Sequence, residues 1–179
     1  MASHNWKAVK RHHAAKSAEL QKYFEHLPSL IEKYPREVTL AYVFSRIEGG
    51  QNRALYCGVV KLHRAHGEVA AGILETHHLT RVGFVDHFKV IFGAPLDPNI
   101  TAKIKFSEKI RDKVVHGKSV NDAEMRKAIV EALDYADDLN SFISKIADFR
   151  PFGDLRGFKG RGKPLEKSTT RWLLKGLGF

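Results

Sequence analysis

Residues 121–146 read NDAEMRKAIV EALDYADDLN SFISKI, and their apolar positions decide the fold class. Met125, Ile129, Ala132, Ala136, Leu139, Ile143 and Ile146 follow one another at steps of 4, 3, 4, 3, 4 and 3. That spacing lines side chains along one face of an α-helix. Asn121 is a natural N-cap, and Glu124 three residues on makes a near capping box. A stripe this long is read as a face packed on other helices, in preference to a cofactor-lined one.

Working outward, the same period recurs. Thr101 to about His116 carries Ile104, Phe106, Ile110, Val114 and Val115, and Gly117 suits its C-terminal cap. Thr80 to Phe92 carries Phe84, Phe88 and Ile91, and Glu68 to His78 reads as a short helix. Leu40, Phe44 and Ile47 are helically spaced, as are Leu55, Val59 and Leu62; Gly49-Gly50 between them marks either a kink or a turn. A first helix is expected from about Ser3 to His26 with Trp6, Val9, Leu20 and Phe24 on its apolar side, before a break bracketed by Pro28 and Pro35. Two-residue alternation bounded by turn signals does not recur, so the body is predicted to be all-α, with about five to six helices.

From Arg150 the texture changes to Gly, Arg, Lys and Phe without a helical period. The expected organisation is a helical bundle over 1–149 and a basic extension over 150–179, partly docked through Trp172, Leu173, Leu174 and Phe179. The whole chain of 179 residues has a net charge of +10, and the last 30 residues hold 8 basic and 2 acidic side chains. Such a surface favours polyanions such as RNA or DNA, or an anionic membrane face, and plain solubility is the alternative. In the extension Arg156, Lys159, Arg161 and Lys163 interleave with Phe152 and Phe158, so cations are expected to neutralise phosphates while rings stack on bases. The single cysteine, Cys57, permits no disulfide within one chain and suits a reducing cytoplasm. The N-terminal residues lack an apolar signal core, and no apolar run nears the roughly 20 residues of a membrane span.

Two sites are tempting and rejected. Gly157-Phe-Lys-Gly-Arg-Gly162-Lys163 fits the glycine spacing of a phosphate loop, but Pro164 stands where Ser or Thr is needed and no strand precedes it. His63-x-x-His66 and His77-His78 offer imidazoles but no clustered carboxylate or HExxH, so no metal site and no cofactor are expected.

Arg111-Asp-Lys-Val-Val-His116-Gly117 is the stretch that bears chemistry. It resembles the ribonuclease motif of the HEPN superfamily, an arginine followed by a polar residue and, four to six residues after the arginine, a histidine. Arg81 and His87 also fit that spacing, but Val82 follows Arg81, whereas Asp112 follows Arg111, His116 falls at a helix end, and the long capped helix comes next. The resemblance covers about 36–148 as architecture and seven residues as motif.

It implies a HEPN-like bundle that dimerises, because residues five apart on a helix diverge by about 140° over about 7.5 Å. Paired motifs from two copies would then build one cleft. It implies metal-independent cleavage of RNA, with His116 as acid–base, Arg111 stabilising the phosphorane and Asp112 orienting a partner. Lys113 and Lys118 would help hold the strand. A toxin or phage-defence effector with an antitoxin or regulatory partner is the role implied. Some members carry a tyrosine two residues after the histidine, where this chain has Lys118. The rival expectation is a catalytically silent helical module that binds nucleic acid or a partner protein.

Overall fold

The structure, a computed structural model, describes residues 5–77 and 79–179, with the side chains of 81 and 82 left aside. Its elements are α1 (Trp6–Ala14), α2 (Ala18–Tyr23), α3 (Leu27–Lys33), α4 (Arg36–Leu62), α5 (Gly67–Thr76), α6 (Arg81–Phe92), α7 (Pro98–Val115), α8 (Asp122–Ala147) and α9 (Lys167–Gly176). The fold is all-α, as expected, with nine helices among the described residues in place of five or six. None of these helices is long and apolar enough to cross a membrane.

The additional helices have local causes. The expected first helix breaks at Ser17, whose hydroxyl accepts from the Leu20 amide (3.3 Å) and so starts α2. Pro28 sits in the first turn of α3, where its missing N–H costs nothing. The predicted start near Ser3, and His78, lie outside the described residues. α9 was not anticipated: Thr170 and Leu174 are its buried face.

The residues form two compact units, one of 1–49 and 97–140, the other of 50–96 and 141–179. Residues 150–179 fall within the second of these units. Both α4 and α8 contribute to each.

In the first unit, α1, α2, α3, α7 and the leading parts of α4 and α8 bury Val9, Leu20, Phe24, Leu27, Leu40, Phe44, Ile104, Ile110 and Ile129. Polar ties fix the packing. Buried Ser107 donates to the Ala128 carbonyl (2.8 Å), joining α7 to α8. Trp6 donates its indole N–H to Asp122 (2.7 Å), and Arg36 lies 4.5 Å over its ring. Arg46 and Tyr23 exchange hydrogen bonds through each other's backbone carbonyls, both at 2.9 Å.

The second unit is built on aromatic rings. Phe88 stacks on Phe92 at 4.3 Å, Phe92 reaches Phe149 at 6.2 Å, and Phe149 meets Phe158 edge-on at 5.7 Å. Phe152 is fully buried. α4 runs unbroken through Gly49-Gly50, so these glycines do not mark a turn between two helices. Gly50 is small because the Phe152 ring occupies the space beside it. α9 packs on α5, where Thr170 accepts from the His66 amide (2.9 Å).

The α8 stripe is buried from Met125 to Ile143, but Ile146 is 36% exposed and falls off it.

Candidate functional site

The motif residues lie at the end of α7. Asp97 starts this helix by accepting from the Asn99 amide (2.7 Å), with Pro98 in the first turn. Its end is a Schellman turn: the Gly117 amide donates to the Val114 carbonyl (3.0 Å) and the Lys118 amide to the Lys113 carbonyl (2.8 Å). Gly117 has φ +66°, the left-handed conformation that this turn demands. His116 is thereby fixed as the C-cap, with its side chain exposed. Asn121 and Glu124 then complete a reciprocal capping box on α8, at 2.9 and 3.2 Å.

Arg111 faces a different way. Its guanidinium lies 5.3 Å over the Phe44 ring of α4 and reaches Glu48 at 3.3 Å and Asp112 at 3.6 Å. Its Nε is enclosed without a hydrogen-bond acceptor. The structure keeps the divergence that helical geometry imposes: Arg111 packs against α4 while His116 stands in solvent. Next to His116, Val115 is 68% exposed.

The expected RNA-contacting side chains divide between the units. Lys113 pairs with Glu124 at 3.1 Å, which also holds the Glu124 carboxyl below its usual range, with help from the Asn121 amide. Lys118 is exposed. In the second unit Arg156 is engaged by Asp154 through its Nε (2.6 Å) and a terminal nitrogen (2.5 Å), while Lys159, Arg161 and Lys163 are exposed. The loop is anchored by its backbone: Arg64 donates through Nε to the Lys163 carbonyl (2.9 Å) and accepts from the Leu165 amide (2.8 Å).

The expected base-stacking rings are corrected. Phe152 is core, and Phe158 is half-buried against Phe149 with the Lys61 ammonium 6.0 Å from its ring. Burial in the aromatic cluster takes these rings away from bases. The exposed aromatic of residues 150–179 is Trp172, at 82%, which the docking expectation had placed inside. It lies on α9 with exposed Arg171 and Lys175. The signal was available, since Thr170, Leu173, Leu174 and Leu177 repeat at helical spacing and leave Trp172 on the opposite face.

His63 and His87 have structural roles. His63 donates through Nε2 to the Ile91 carbonyl (2.7 Å). His87 stacks on Phe179 (4.1 Å between centroids) and lies 3.1 Å from the Leu177 carbonyl, so the second Arg–His match ends in a packed residue. Among the described residues, no group of three or more His, Cys, Asp or Glu side chains is arranged to hold a metal ion.

No protein-family model, no curated protein and no solved structure matches this chain.

Proposed function

We propose that this chain is an endoribonuclease of HEPN type that cuts RNA without a metal, using Arg111 and His116 from two copies of α7. The observation that carries the reading is the end of α7: an exposed imidazole pinned by a Schellman turn, five residues after a guanidinium anchored on Phe44, Glu48 and Asp112. Exposed Val115 gives a second copy an apolar contact beside the imidazole.

The chemistry follows from the groups present. RNA supplies its own nucleophile. One imidazole takes the proton of the 2′-hydroxyl, the 2′-oxygen attacks phosphorus, and the P–O5′ bond breaks. The second imidazole of the pair, protonated, gives its proton to the leaving oxygen. Arg111 stabilises the charge on the phosphorane with a guanidinium that stays charged at every working pH. The products are a 2′,3′-cyclic phosphate and a 5′-hydroxyl. A toxin or defence effector acting in the cytoplasm, restrained by a partner protein, is the setting that suits this activity.

The test is cleavage of RNA in EDTA. His116→Ala and Arg111→Ala are expected each to lower the rate by about 10²–10⁴. Wild-type rates in both variants overturn the reading. Val115→Glu is expected to give a monomer by light scattering and to lose activity with it.

A second reading, a silent nucleic-acid-binding module, is favoured by the engagement of Arg111 with Glu48. Glu48→Gln separates the two. Freeing the guanidinium leaves cleavage at or above the wild-type rate if Arg111 works on RNA, and produces no cleavage if the module is silent.

A further inference from the structure

One side of α9 is turned out of the second unit. Thr170 and Leu174 are buried and Leu173 is half-buried, which seats the other side against α5. Ser168, Thr169, Arg171, Trp172, Lys175 and Gly176 are all exposed.

Trp172 stands out among them. It is 82% exposed, whereas tryptophan is on average a largely buried residue. Ser168 and Thr169 lie one turn before it, Lys175 and Gly176 one turn after. A β-carbon on Gly176 would meet nothing within 4 Å. Apart from the flexible Lys175, the neighbours of the indole along the helix are short, and ring surface is left for a flat partner.

Cations surround this ring. From 155 to 179 the chain holds seven Lys and Arg and one acidic residue, Glu166. Arg156 is engaged by Asp154 and Lys167 by Glu68 (2.9 Å), but Arg171 and Lys175 have no carboxylate partner among the described residues. Lys167, Arg171 and Lys175 follow one another at four-residue steps, about 6 Å of rise each, so their like charges repel until an anion joins them. The loop with exposed Lys159, Arg161 and Lys163 is tied to the same stretch as the helix. The Leu165 amide donates to the Arg64 carbonyl (2.8 Å), and the His66 amide donates to Thr170 Oγ1 (2.9 Å). Loop and helix thus hang on 64–66 and carry their cations within one unit.

We infer that α9 and this loop form a docking surface for single-stranded RNA, with a base stacked on Trp172 and phosphates on Arg171, Lys175 and the loop cations. The charge calls for a polyanion, and the bare indole for one with open flat faces. Unpaired bases have such faces, whereas a duplex keeps its bases stacked inside. An anionic bilayer fits less well: a helix lying in a membrane interface buries a broad apolar face, and Trp172 is the lone large apolar side chain on the outward side of α9. The choice of RNA over DNA rests on the proposed cleavage of RNA, while the surface itself lies outside the motif helix α7.

The experiment uses the full chain carrying His116→Ala, so that cleavage does not interfere. Binding of a labelled oligouridine is followed by fluorescence anisotropy, with oligodeoxythymidine, duplex RNA and phosphatidylserine vesicles as rivals. Saturable binding of the oligouridine is expected, weakened about tenfold by Trp172→Ala and largely kept by Trp172→Phe, which retains a ring. Stacking is also expected to quench the indole emission, and Trp172→Phe to abolish that quenching while Trp6 still emits. Arg171→Gln with Lys175→Gln is expected to flatten the log–log salt dependence by about 1.4, at roughly 0.7 for each contact. These positions are exposed, so the variants are expected to keep the wild-type circular dichroism and melting temperature. The inference is overturned by absence of oligouridine binding, by binding that Trp172→Ala leaves unchanged, by tighter binding of DNA or duplex, or by binding of vesicles alone. Binding that depends on Trp172, in a protein whose wild type cuts no RNA, overturns the cleavage reading and leaves the docking surface standing; cleavage without such binding does the reverse.

Discussion

A β-carbon on Gly50 would lie 2.0 Å from Cε1 of Phe152, so the ring of Phe152 and the side chain of any other residue at 50 exclude each other. The neighbouring Gly49 has a different environment: its nearest atom would be the Tyr23 hydroxyl oxygen at 3.4 Å, ordinary contact. Gly50→Ala is therefore expected to cost about 1–3 kcal/mol through overpacking. Gly49→Ala is expected to stabilise by up to about 1 kcal/mol, because alanine favours a helix interior over glycine. Urea unfolding of the two variants checks the opposite signs.

Cys57 is fully buried, and burial pushes its thiol up to about 12, against weaker opposing effects of Arg53 and Lys61. The thiolate is the reactive form. The native protein is expected to resist a thiol reagent at pH 8, and the protein in denaturant to react at once. Fast labelling of the native state would contradict this environment.

Asp134 is half-buried, and burial alone would raise its carboxyl. Hydrogen bonds from His12 (2.7 Å) and Lys16 (2.6 Å) outweigh that and bring it down from 3.8 to about 2. A folded-state value below the unfolded one stabilises the fold above pH 3.8, and this contribution is lost as pH falls towards 2. The carboxyl is partly solvated, so the contribution is about 1–2 kcal/mol. The stability gap between wild type and Asp134→Asn is expected to close over that window, as measured by urea midpoints from pH 5 to pH 2.

In the loop 156–163, Arg156 already serves Asp154, while Lys159, Arg161 and Lys163 are exposed and, on the proposed reading, are the ones that meet RNA phosphates. Changing those three to Gln is expected to flatten the log–log salt dependence of RNA binding by about 2, at roughly 0.7 for each contact to a single strand. Adding Arg156→Gln is expected to change it little further. An unchanged slope in the triple variant would show that the loop contacts no RNA.

The helical period of α8 and the caps at Asn121 and Gly117 were legible because they depend on neighbours within a turn. So was the Arg111–His116 spacing. The glycine pair of α4 was not, since its meaning rests on Phe152, a hundred residues away, and a glycine that breaks a helix is spelled like one that admits a ring. Phe152 and Trp172 exchanged their expected places for the same reason. Composition marks both as apolar or aromatic, and only the packing of α9 and the Phe88–Phe92–Phe149 rings decides which is covered.

The division of the units, 1–49 with 97–140 and 50–96 with 141–179, has a consequence for biosynthesis. Neither is a contiguous stretch of coding sequence. Residues 1–49 emerge with apolar faces that include Leu20, Phe24, Leu40 and Phe44, and these await residues up to 140. At a translation rate of about 5–20 residues per second, that wait lasts roughly 5–18 s. Throughout it the nascent chain presents a half-made core to whatever binds apolar surface at the ribosome, and the first unit closes only after residue 140 has emerged.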